Sequence, residues 1–314
     1  MSGRIGLAKV RRVEGAGLSL AVNEWGDPAK PTAVLLHGYP DTSEVWRPVA
    51  EQLAGRYHVV TYDMRGAGAS DAPGHRDGYR LALLMDDLEA VLEAVTPRSS
   101  ERAVHLVGHD WGSIQGWEAV TCGQLNGRIA SYTSISGPPL DHAGQWARQR
   151  VRHAQFGVLA GQAARSSYIA VFHSPGVAAA SARLAGRISA HRGRWARRIE
   201  VSEGVTHDER WPAATFGRDL ANGMGLYRAN VRARLRRPHG RVADVPVQLI
   251  VPTKDPFVPP SLLDGLERWA PGMRQRTISA GHWVIRSHPS QVADWIGQFV
   301  DEVEGGVVRR TAPV

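Results

Sequence analysis

The chain has 314 residues, of which 43% are hydrophobic and 22% are charged, and it carries a formal net charge of +8. These values lie close to those of ordinary globular proteins, so they exclude a disordered chain or a fibre and allow one large domain or a core with an insertion. The first twelve residues lack the apolar core of a signal peptide and no later apolar run is long enough to cross a bilayer, so we expect a cytoplasmic protein.

Short apolar runs bounded by turn residues alternate with longer helical patterns along the chain. The clearest runs are rich in β-branched residues and too short for helices, so they predict strands. These predicted strands are residues 33–36, 58–62, 104–107 and 247–251. Apolar residues at three- and four-residue spacing predict crossover helices at residues 44–53 and 79–95. The alternation predicts an α/β fold with a mostly parallel central sheet flanked by helices.

Two glycine-containing loops follow the first two predicted strands. His37-Gly38-Tyr39-Pro40 ends the strand at residues 33–36, and taken by itself it is equally typical of a Gly-Pro turn. Residues 63–70 resemble a phosphate-binding glycine loop, but they lack its third glycine and a helix directly behind it. We therefore interpret residues 63–70 as a structural turn.

The sequence Gly108-His109-Asp110-Trp111-Gly112 follows a strand and precedes a helical segment, which is the context of a nucleophile elbow. Its glycines permit a sharp turn, and the helix N-terminus favours negative charge. A carboxylate is ionised at neutral pH, so Asp110 predicts displacement at an sp³ carbon that leaves an alkyl ester on the enzyme. The alternative is an Asp that only caps the helix. We do not expect Ser113, just beyond the elbow, to replace Asp110 as nucleophile.

The single cysteine, Cys122, excludes an internal disulfide and a cysteine metal cluster. It lies in a segment with a helical pattern that we expect to pack on the core. A free cysteine in such a segment usually behaves as a small hydrophobic residue. We therefore expect Cys122 to be a buried structural thiol.

After the strand-like residues 129–135 the pattern changes. Residues 136–139 break the chain, an Ala/Arg-rich helical stretch runs to about residue 238, and strand-like sequence resumes only at Pro246. We therefore predict a helical lid at residues 140–240, inserted into an α/β core made of residues 1–139 and 241–314.

The predicted lid carries most of the regional positive charge. From His142 to Ile199 there are ten arginines and no Asp or Glu. A face of one sign can attract phosphate or anionic lipid head groups, which allows weak contact with a membrane surface. A solvated helical face is the interpretation that we favour. We do not expect nucleic acid as a partner.

Two polar residues follow late strands and suit a catalytic triad. Asp255 follows the strand at residues 247–251, and His282 follows a predicted strand at residues 276–279. The chain order Asp110, Asp255, His282 is nucleophile, acid and histidine, as expected for this type of site. His282 would then be the base and Asp255 would orient it. The alternatives are a surface-loop histidine and an Asp that forms a turn before proline.

A nucleophile at Asp110 gives the loop at residues 37–40 a function. When water attacks the ester carbonyl, the oxyanion that forms needs preorganised donors. The backbone N–H groups of Tyr39 and Trp111 are the predicted oxyanion-hole donors.

The C-terminal part of the chain is predicted to form a final helix at residues 289–304, followed by a frayed tail at residues 305–314.

From about Val13 to Val300, these motifs resemble the epoxide hydrolase branch of the α/β-hydrolase superfamily. Tyr168, before an aromatic residue and Pro175-Gly176-Val177, lies where that family keeps its first lid tyrosine, and Tyr227 occupies the second position. The resemblance implies that both hydroxyls donate to the epoxide oxygen and protonate it. As the alternative, either tyrosine is a core aromatic.

The resemblance also implies the reaction and its partners. Asp110 would open a hydrophobic epoxide, and water activated by His282 would release a vicinal diol. Neither metal nor cofactor is implied, and the chain would be a monomer or homodimer. The substrate would contact five side chains: His37, Trp111, Tyr168, Tyr227 and Trp283.

More narrowly, the lid and the Asp255 loop look like the hydrolase half of the bacterial epoxide hydrolase D branch, in which a short-chain dehydrogenase domain follows. This chain departs from that pattern because it ends at Val314, so the resemblance does not extend to a coupled redox function. A haloalkane dehalogenase is the nearest rival, since it shares the Asp-Trp dipeptide, but such enzymes commonly carry Asn where Tyr39 stands. A third interpretation is a hydrolase-fold protein that binds a ligand without turning it over.

Overall fold

A sheet forms the core of the computed structural model, which describes residues 9–174 and 176–308. Within these residues its strands are β1 (Lys9–Glu14), β2 (Ser19–Trp25), β3 (Thr32–Leu36), β4 (His58–Tyr62), β5 (Val104–His109), β6 (Ile129–Ile135), β7 (Val247–Pro252) and β8 (Arg274–Ile278). The strand order is β1-β2-β4-β3-β5-β6-β7-β8. β2 pairs antiparallel with β1 and β4, and all the other pairs are parallel.

The described residues form helices that cover both faces of this sheet and helices that lie in the predicted lid. They are α1 (Arg47–Leu53), α2 (Leu81–Val95), α3 (Trp111–Thr121), α4 (Leu140–Arg152), α5 (Phe156–Arg165), α6 (Ser167–His173), α7 (Val177–Arg183), α8 (Ala185–Ala190), α9 (Arg192–Glu203), α10 (Phe216–Arg236), α11 (Val284–Ser287) and α12 (Pro289–Glu304). Leu88 of α2 and Trp117 of α3 belong to the core on one face, whereas Val49 of α1 and Ile296 of α12 belong to the core on the other. No helix among the described residues is both long enough and apolar enough to span a bilayer.

The predicted fold class is confirmed. β3, β4 and β5 are buried along their whole length, as the unbroken apolar runs require in a sheet covered on both faces. β1 and β2 extend the sheet beyond the strands predicted above. β1 is an edge strand in which only Val13 is buried. The helix predicted at residues 44–53 begins instead with a 3₁₀ turn, Ser43–Trp46, before α1 starts.

The expected burial of Cys122 is only partly met. Cys122 follows the last residue of α3 and is half-buried, packed beside the core of the sheet. Burial raises the pKa of its thiol.

The expected structural turn at residues 63–70 is held by Asp63, whose carboxylate accepts from the backbone N–H groups of Ser43 and Ala69 at 2.8 Å each.

All the helices from α4 to α10 lie between β6 and β7, in the range predicted for the lid. α10 bonds to the core directly: the Asn230 side chain accepts from Leu81 N–H at 2.9 Å and donates to the Tyr79 carbonyl at 2.8 Å. In contrast, α5, α6, α7 and α8 contain no fully buried residue among those described. Three parts of the chain lie outside the described residues: residues 1–8, Pro175, and residues 309–314 of the predicted tail.

Candidate active site

Asp110 stands at the sharp turn between β5 and α3. Its backbone has φ 53° and ψ −119°, which is rare for a residue with a side chain. The turn is held by a hydrogen bond from Asp110 N–H to the Ile135 carbonyl at 3.0 Å. Gly112 is needed here, because a Cβ atom on it would lie 2.1 Å from the Leu36 carbonyl oxygen. The backbone therefore lifts the carboxylate above the carboxyl edge of the sheet.

Two backbone donors surround the Asp110 carboxylate. The N–H of Tyr39 donates to Asp110 Oδ1 at 2.6 Å, and the N–H of Trp111 also bonds to the carboxylate. These are the two donors predicted for the oxyanion hole. Burial raises the pKa of Asp110 to about 6, although His282 and the two N–H groups oppose that rise. The carboxylate is therefore mostly ionised at neutral pH.

His282 lies between two carboxylates. Its Nδ1 is 2.8 Å from Asp255 Oδ2, and its Nε2 is 3.7 Å from Asp110 Oδ2. Burial of the imidazole lowers its pKa, but Asp255, Asp110 and Glu203 outweigh burial and raise the pKa of His282 to about 9. The structure thus brings the three predicted triad residues together at the ends of β5, β7 and β8.

The Asp255 carboxylate is oriented by its own loop. Its Oδ1 accepts from the backbone N–H groups of Phe257 at 2.8 Å and Val258 at 3.0 Å. Burial raises the pKa of Asp255, but His282 and these two N–H groups outweigh burial, so the pKa lies below its ordinary value. Asp255 therefore stays ionised, and it can hold the Nδ1 proton of His282 in place.

Two cavities meet at Asp110. One has a volume of about 260 Å³ and extends between α4, α5 and α10, with mainly apolar walls. The other has a volume of about 230 Å³ and reaches His282 and Trp283. Both are bordered by Asp110, Tyr168, Tyr227 and Phe257. A ligand in either cavity would therefore contact the carboxylate and both tyrosines.

Tyr168 and Tyr227 extend from the lid toward Asp110. Their ring centroids are 5.7 Å apart in an edge-to-face arrangement, and their hydroxyl groups interact with each other. Burial, followed by the nearby charge of Asp110, raises the pKa of both tyrosines. Both hydroxyls are therefore protonated at neutral pH and can donate a hydrogen bond into the space beside the carboxylate.

Of the other predicted substrate contacts, Trp111 borders the first cavity and Trp283 borders the second. His37 borders neither. Its buried ring accepts from Met64 N–H at 2.8 Å through Nε2 and bonds the Gly38 carbonyl at 2.9 Å through Nδ1. This placement does not support the predicted substrate contact, because both ring nitrogens are used to hold the loop after β3.

Three polar residues near the triad were not singled out by sequence. His109 Nε2 bonds the His282 carbonyl at 2.9 Å, and burial lowers the pKa of His109 to about 3, so its ring is neutral. Asp41 accepts from the indole N–H groups of Trp211 and Trp283 at 2.8 and 2.9 Å. Glu203 accepts from the backbone of the His282 loop.

Ser113 has no free hydroxyl to act as a nucleophile. It is fully buried, and its Oγ bonds the Gly137 carbonyl at 2.7 Å as well as the hydroxyls of Tyr132 and Ser134.

Within residues 9–174 and 176–308, no group of three or more His, Cys, Asp or Glu side chains is arranged to hold a metal ion.

Comparison with known proteins places this geometry among related folds. Residues 31–289 match the model of the alpha/beta hydrolase fold family. The chain is 37% identical over 297 residues to Probable oxidoreductase EphD of Mycobacterium tuberculosis, covering 92% of this chain and 49% of that protein. It is 35% identical over 175 residues to Epoxide hydrolase A of the same species, covering 55% of this chain and 50% of the relative. The chain thus spans about half the length of these curated relatives.

Solved structures share the fold over nearly their whole length. An epoxide hydrolase mutant from Bacillus megaterium, complexed with its product (R)-3-[1]naphthyloxy-propane-1,2-diol, matches with a TM-score of 0.75 and 22% identity, covering 93% of this chain and 100% of that one. Epoxide Hydrolase A from Mycobacterium thermoresistibile matches with a TM-score of 0.67 and 25% identity, covering 94% and 98%.

Proposed function

The chain belongs to the alpha/beta hydrolase fold family, and from this premise we propose that it is an epoxide hydrolase with Asp110 as its covalent nucleophile. The observation that carries the proposal is the placement of an ionised carboxylate opposite two tyrosine hydroxyls in the same cavities. A carboxylate attacks an sp³ carbon, and an epoxide needs a proton donor for its oxygen. The similarity to Epoxide hydrolase A of Mycobacterium tuberculosis and to the Bacillus megaterium epoxide hydrolase with its bound diol supports the same chemistry.

In the first step, Asp110 forms a bond to one epoxide carbon. The electron pair of the breaking carbon–oxygen bond goes to the epoxide oxygen, which accepts hydrogen bonds from Tyr168 and Tyr227 and takes the hydroxyl proton of one of them. The product of this step is a hydroxyalkyl ester of Asp110. Because both hydroxyls lie beside the carboxylate, the attacked carbon and the leaving oxygen can be held at once.

In the second step, His282 removes a proton from water, which attacks the ester carbonyl carbon. The N–H groups of Tyr39 and Trp111 stabilise the oxyanion, because they already bond the carboxylate whose carbonyl becomes that oxyanion. The ester bond then breaks, and the alcohol oxygen of the diol takes the proton from the imidazolium. Asp110 is left as a carboxylic acid, and the proton that it then loses restores, by way of solvent, the tyrosine hydroxyl consumed in the first step.

Formation of the ester also prepares His282 for its function as a base. The charge of Asp110 is one of the causes that raise the pKa of His282. The ester is neutral, so that contribution disappears when Asp110 is alkylated. The pKa of His282 then falls toward neutral pH, where the imidazole can accept a proton from water. Asp255 keeps the imidazole of His282 oriented during both steps.

The substrate is a small hydrophobic epoxide. Apolar side chains form most of the first cavity, including Leu140, Leu159, Ile169 and Leu235. Its volume of about 260 Å³ accommodates a compact organic group beside the epoxide ring. The aryl ether diol bound to the Bacillus megaterium enzyme is a product of this general kind.

A product assay separates this function from its rivals. Purified protein is incubated with an aryl glycidyl ether and, in parallel, with a haloalkane of similar size. We expect vicinal diol from the epoxide and no halide ion from the haloalkane. Halide release without diol would identify a dehalogenase, and saturable binding without either product would identify a binding protein; both results would contradict the proposal.

A further inference from the structure

Glu203 extends from the lid to the loop that carries the histidine of the triad. It is the last residue of α9, and its half-buried Oε2 accepts from the Trp283 backbone N–H at 2.7 Å. Its carboxylate also bonds the backbone N–H of His282. One lid side chain therefore holds two consecutive backbone groups of a core loop.

The position of Glu203 within α9 is electrostatically unfavourable for the helix itself. The C-terminal end of a helix carries partial negative charge, so an acidic side chain in the last turn is disfavoured there. Gly204 follows with φ 68° and ends the helix. The contact with the His282 loop compensates for this placement, because two backbone N–H groups satisfy the carboxylate.

Gly281 matches this contact from the core side. A Cβ atom on Gly281 would lie 2.4 Å from Glu203 Cδ and 2.6 Å from Glu203 Oε2, closer than such atoms can approach. Its φ does not lie in the left-handed region, so alanine is allowed by the backbone. The residue before His282 is therefore small because the Glu203 carboxylate occupies the space beside it.

The charged groups around the imidazole come from several elements. Asp255 lies 2.8 Å from Nδ1 and Asp110 lies 3.7 Å from Nε2, and the neutral His109 ring packs behind with centroids 4.8 Å apart. Asp41, in the loop after β3, interacts with His282 electrostatically. Glu203 is the lid's contribution to this group, and its charge favours the imidazolium form.

We propose that Glu203 is a positioning residue for His282. It fixes the His282 loop, so that the imidazole contacts Asp255 and faces Asp110 only while the lid is packed on the core. This inference rests on the function proposed above for the triad. Glu203 borders neither cavity that meets Asp110. It therefore acts through His282 and not through the substrate.

Three variants test this contact: Glu203→Gln, Glu203→Ala and, as the matched control, Glu200→Gln. Glu200 lies on the same helix but bonds the exposed His207. Imidazole ¹⁵N NMR gives the pKa of His282, and single-turnover kinetics give the rate of ester hydrolysis. We expect Glu203→Gln to lower the pKa of His282, because glutamine keeps an acceptor oxygen and removes the charge. Glu200→Gln should change neither quantity.

Glu203→Ala removes both the charge and the acceptor. We expect it to lower the pKa of His282 and to slow ester hydrolysis by about 10- to 100-fold, with the rate of ester formation unchanged, since small displacements of a catalytic group cost factors of this size. If Glu203→Ala does not fold, as judged by circular dichroism, Gly281→Ala carries the test. Unchanged ester hydrolysis in the folded variant would overturn the proposed positioning, and an unchanged His282 titration in Glu203→Gln would overturn the electrostatic contact.

Gly281→Ala gives an independent test by non-additivity. The new methyl group displaces the Glu203 carboxylate, so we expect Gly281→Ala alone to reproduce the slowed hydrolysis. In the Glu203→Ala background the space is empty, and the same substitution should cost little more. Fully additive losses would contradict the proposed contact. If the unmodified protein forms no diol, the proposed function fails, but the NMR titration still decides whether Glu203 acts on His282.

Discussion

The core and the lid hold their parts of the site with different kinds of contacts. Asp110, Asp255 and His282 lie on loops at the carboxyl ends of parallel strands, and hydrogen bonds of 2.6–2.8 Å fix their carboxylates and imidazole. Tyr168 and Tyr227 are held chiefly by edge-to-face contacts with other aromatic rings, at centroid distances of 4.9–5.8 Å. The sheet therefore fixes the charges, whereas the lid supplies the two hydroxyls that we propose as proton donors.

Within the lid, the two tyrosines stand on helices of unequal burial. Tyr227 is buried on α10, which bonds the core through Asn230. Tyr168 is half-buried on α6, which has no fully buried residue. Its ring instead rests against Phe257 of the core, with centroids 5.8 Å apart. We infer that substitutions in the core remove the chemistry, whereas substitutions in the lid weaken it according to how firmly each helix is held.

The largest effect should come from the core nucleophile. Asp110→Asn preserves size and the hydrogen bond from Tyr39, but an amide does not attack carbon. We expect diol formation to fall by about 10⁴-fold or more, as for the loss of other catalytic nucleophiles. Steady-state assays check this, with mass spectrometry to exclude deamidation back to Asp. A folded variant with more than one-hundredth of the original activity would place the nucleophile elsewhere.

The lid donors should give the next largest effect. Tyr168→Phe combined with Tyr227→Phe removes both hydroxyls and keeps the rings, so we expect ring opening to slow by about 10²- to 10⁴-fold, the usual range for general acid catalysis. Each single variant should lose less, because the other hydroxyl still donates. Substrate binding, measured by equilibrium titration, should persist. Undiminished ring opening in the double variant would remove the tyrosines from the mechanism.

The pH dependence should reflect the core and not the lid. Burial raises the pKa of Asp110 to about 6, and only the ionised carboxylate attacks. We therefore expect kcat/KM to level off at about pH 7 and to fall about tenfold per pH unit well below pH 6. The tyrosines stay protonated across this range. An acid limb that begins near pH 4 would contradict the burial argument.

The smallest effect on diol formation should come from Asn230, which bonds α10 of the lid to the core. Its substitution should instead lower the stability of the protein. Asn230→Ala leaves the Leu81 N–H and the Tyr79 carbonyl buried without their partner. We expect the free energy of unfolding to fall by about 2–6 kcal/mol, since each of the two unsatisfied buried groups costs about 1–3 kcal/mol. Urea unfolding measures this. Arg152→Ala, at an exposed lid position, should stay within about 0.5 kcal/mol of the original.

Much of the fold could be predicted from local pattern. The strand at residues 129–135 and the helix at residues 289–304 have the predicted bounds, because buried strands and amphipathic helices repeat their apolar residues regularly. β1 could not be recognised in this way. It lies at the sheet edge with one buried residue, so its sequence carries little apolar signal.

The site divides in the same manner. Asp110, Asp255 and His282 could be found because each directly follows a strand, and a parallel sheet brings such loops together. Asp41 and Glu203 could not, because their partners are remote in sequence: Asp41 meets Trp211 of the lid, and Glu203 meets Trp283 of the core. Only the packing of the lid on the core creates those contacts.

The covalent step is tested most directly by a single turnover in ¹⁸O-labelled water, with enzyme in excess over an epoxide. Digestion with trypsin then isolates residues 103–128, which contain Asp110. We expect one heavy oxygen in the Asp110 carboxylate and none in the first diol, because water attacks the ester carbonyl and not the epoxide carbon. Label in the diol with an unlabelled peptide would show direct attack by water and would contradict the covalent mechanism.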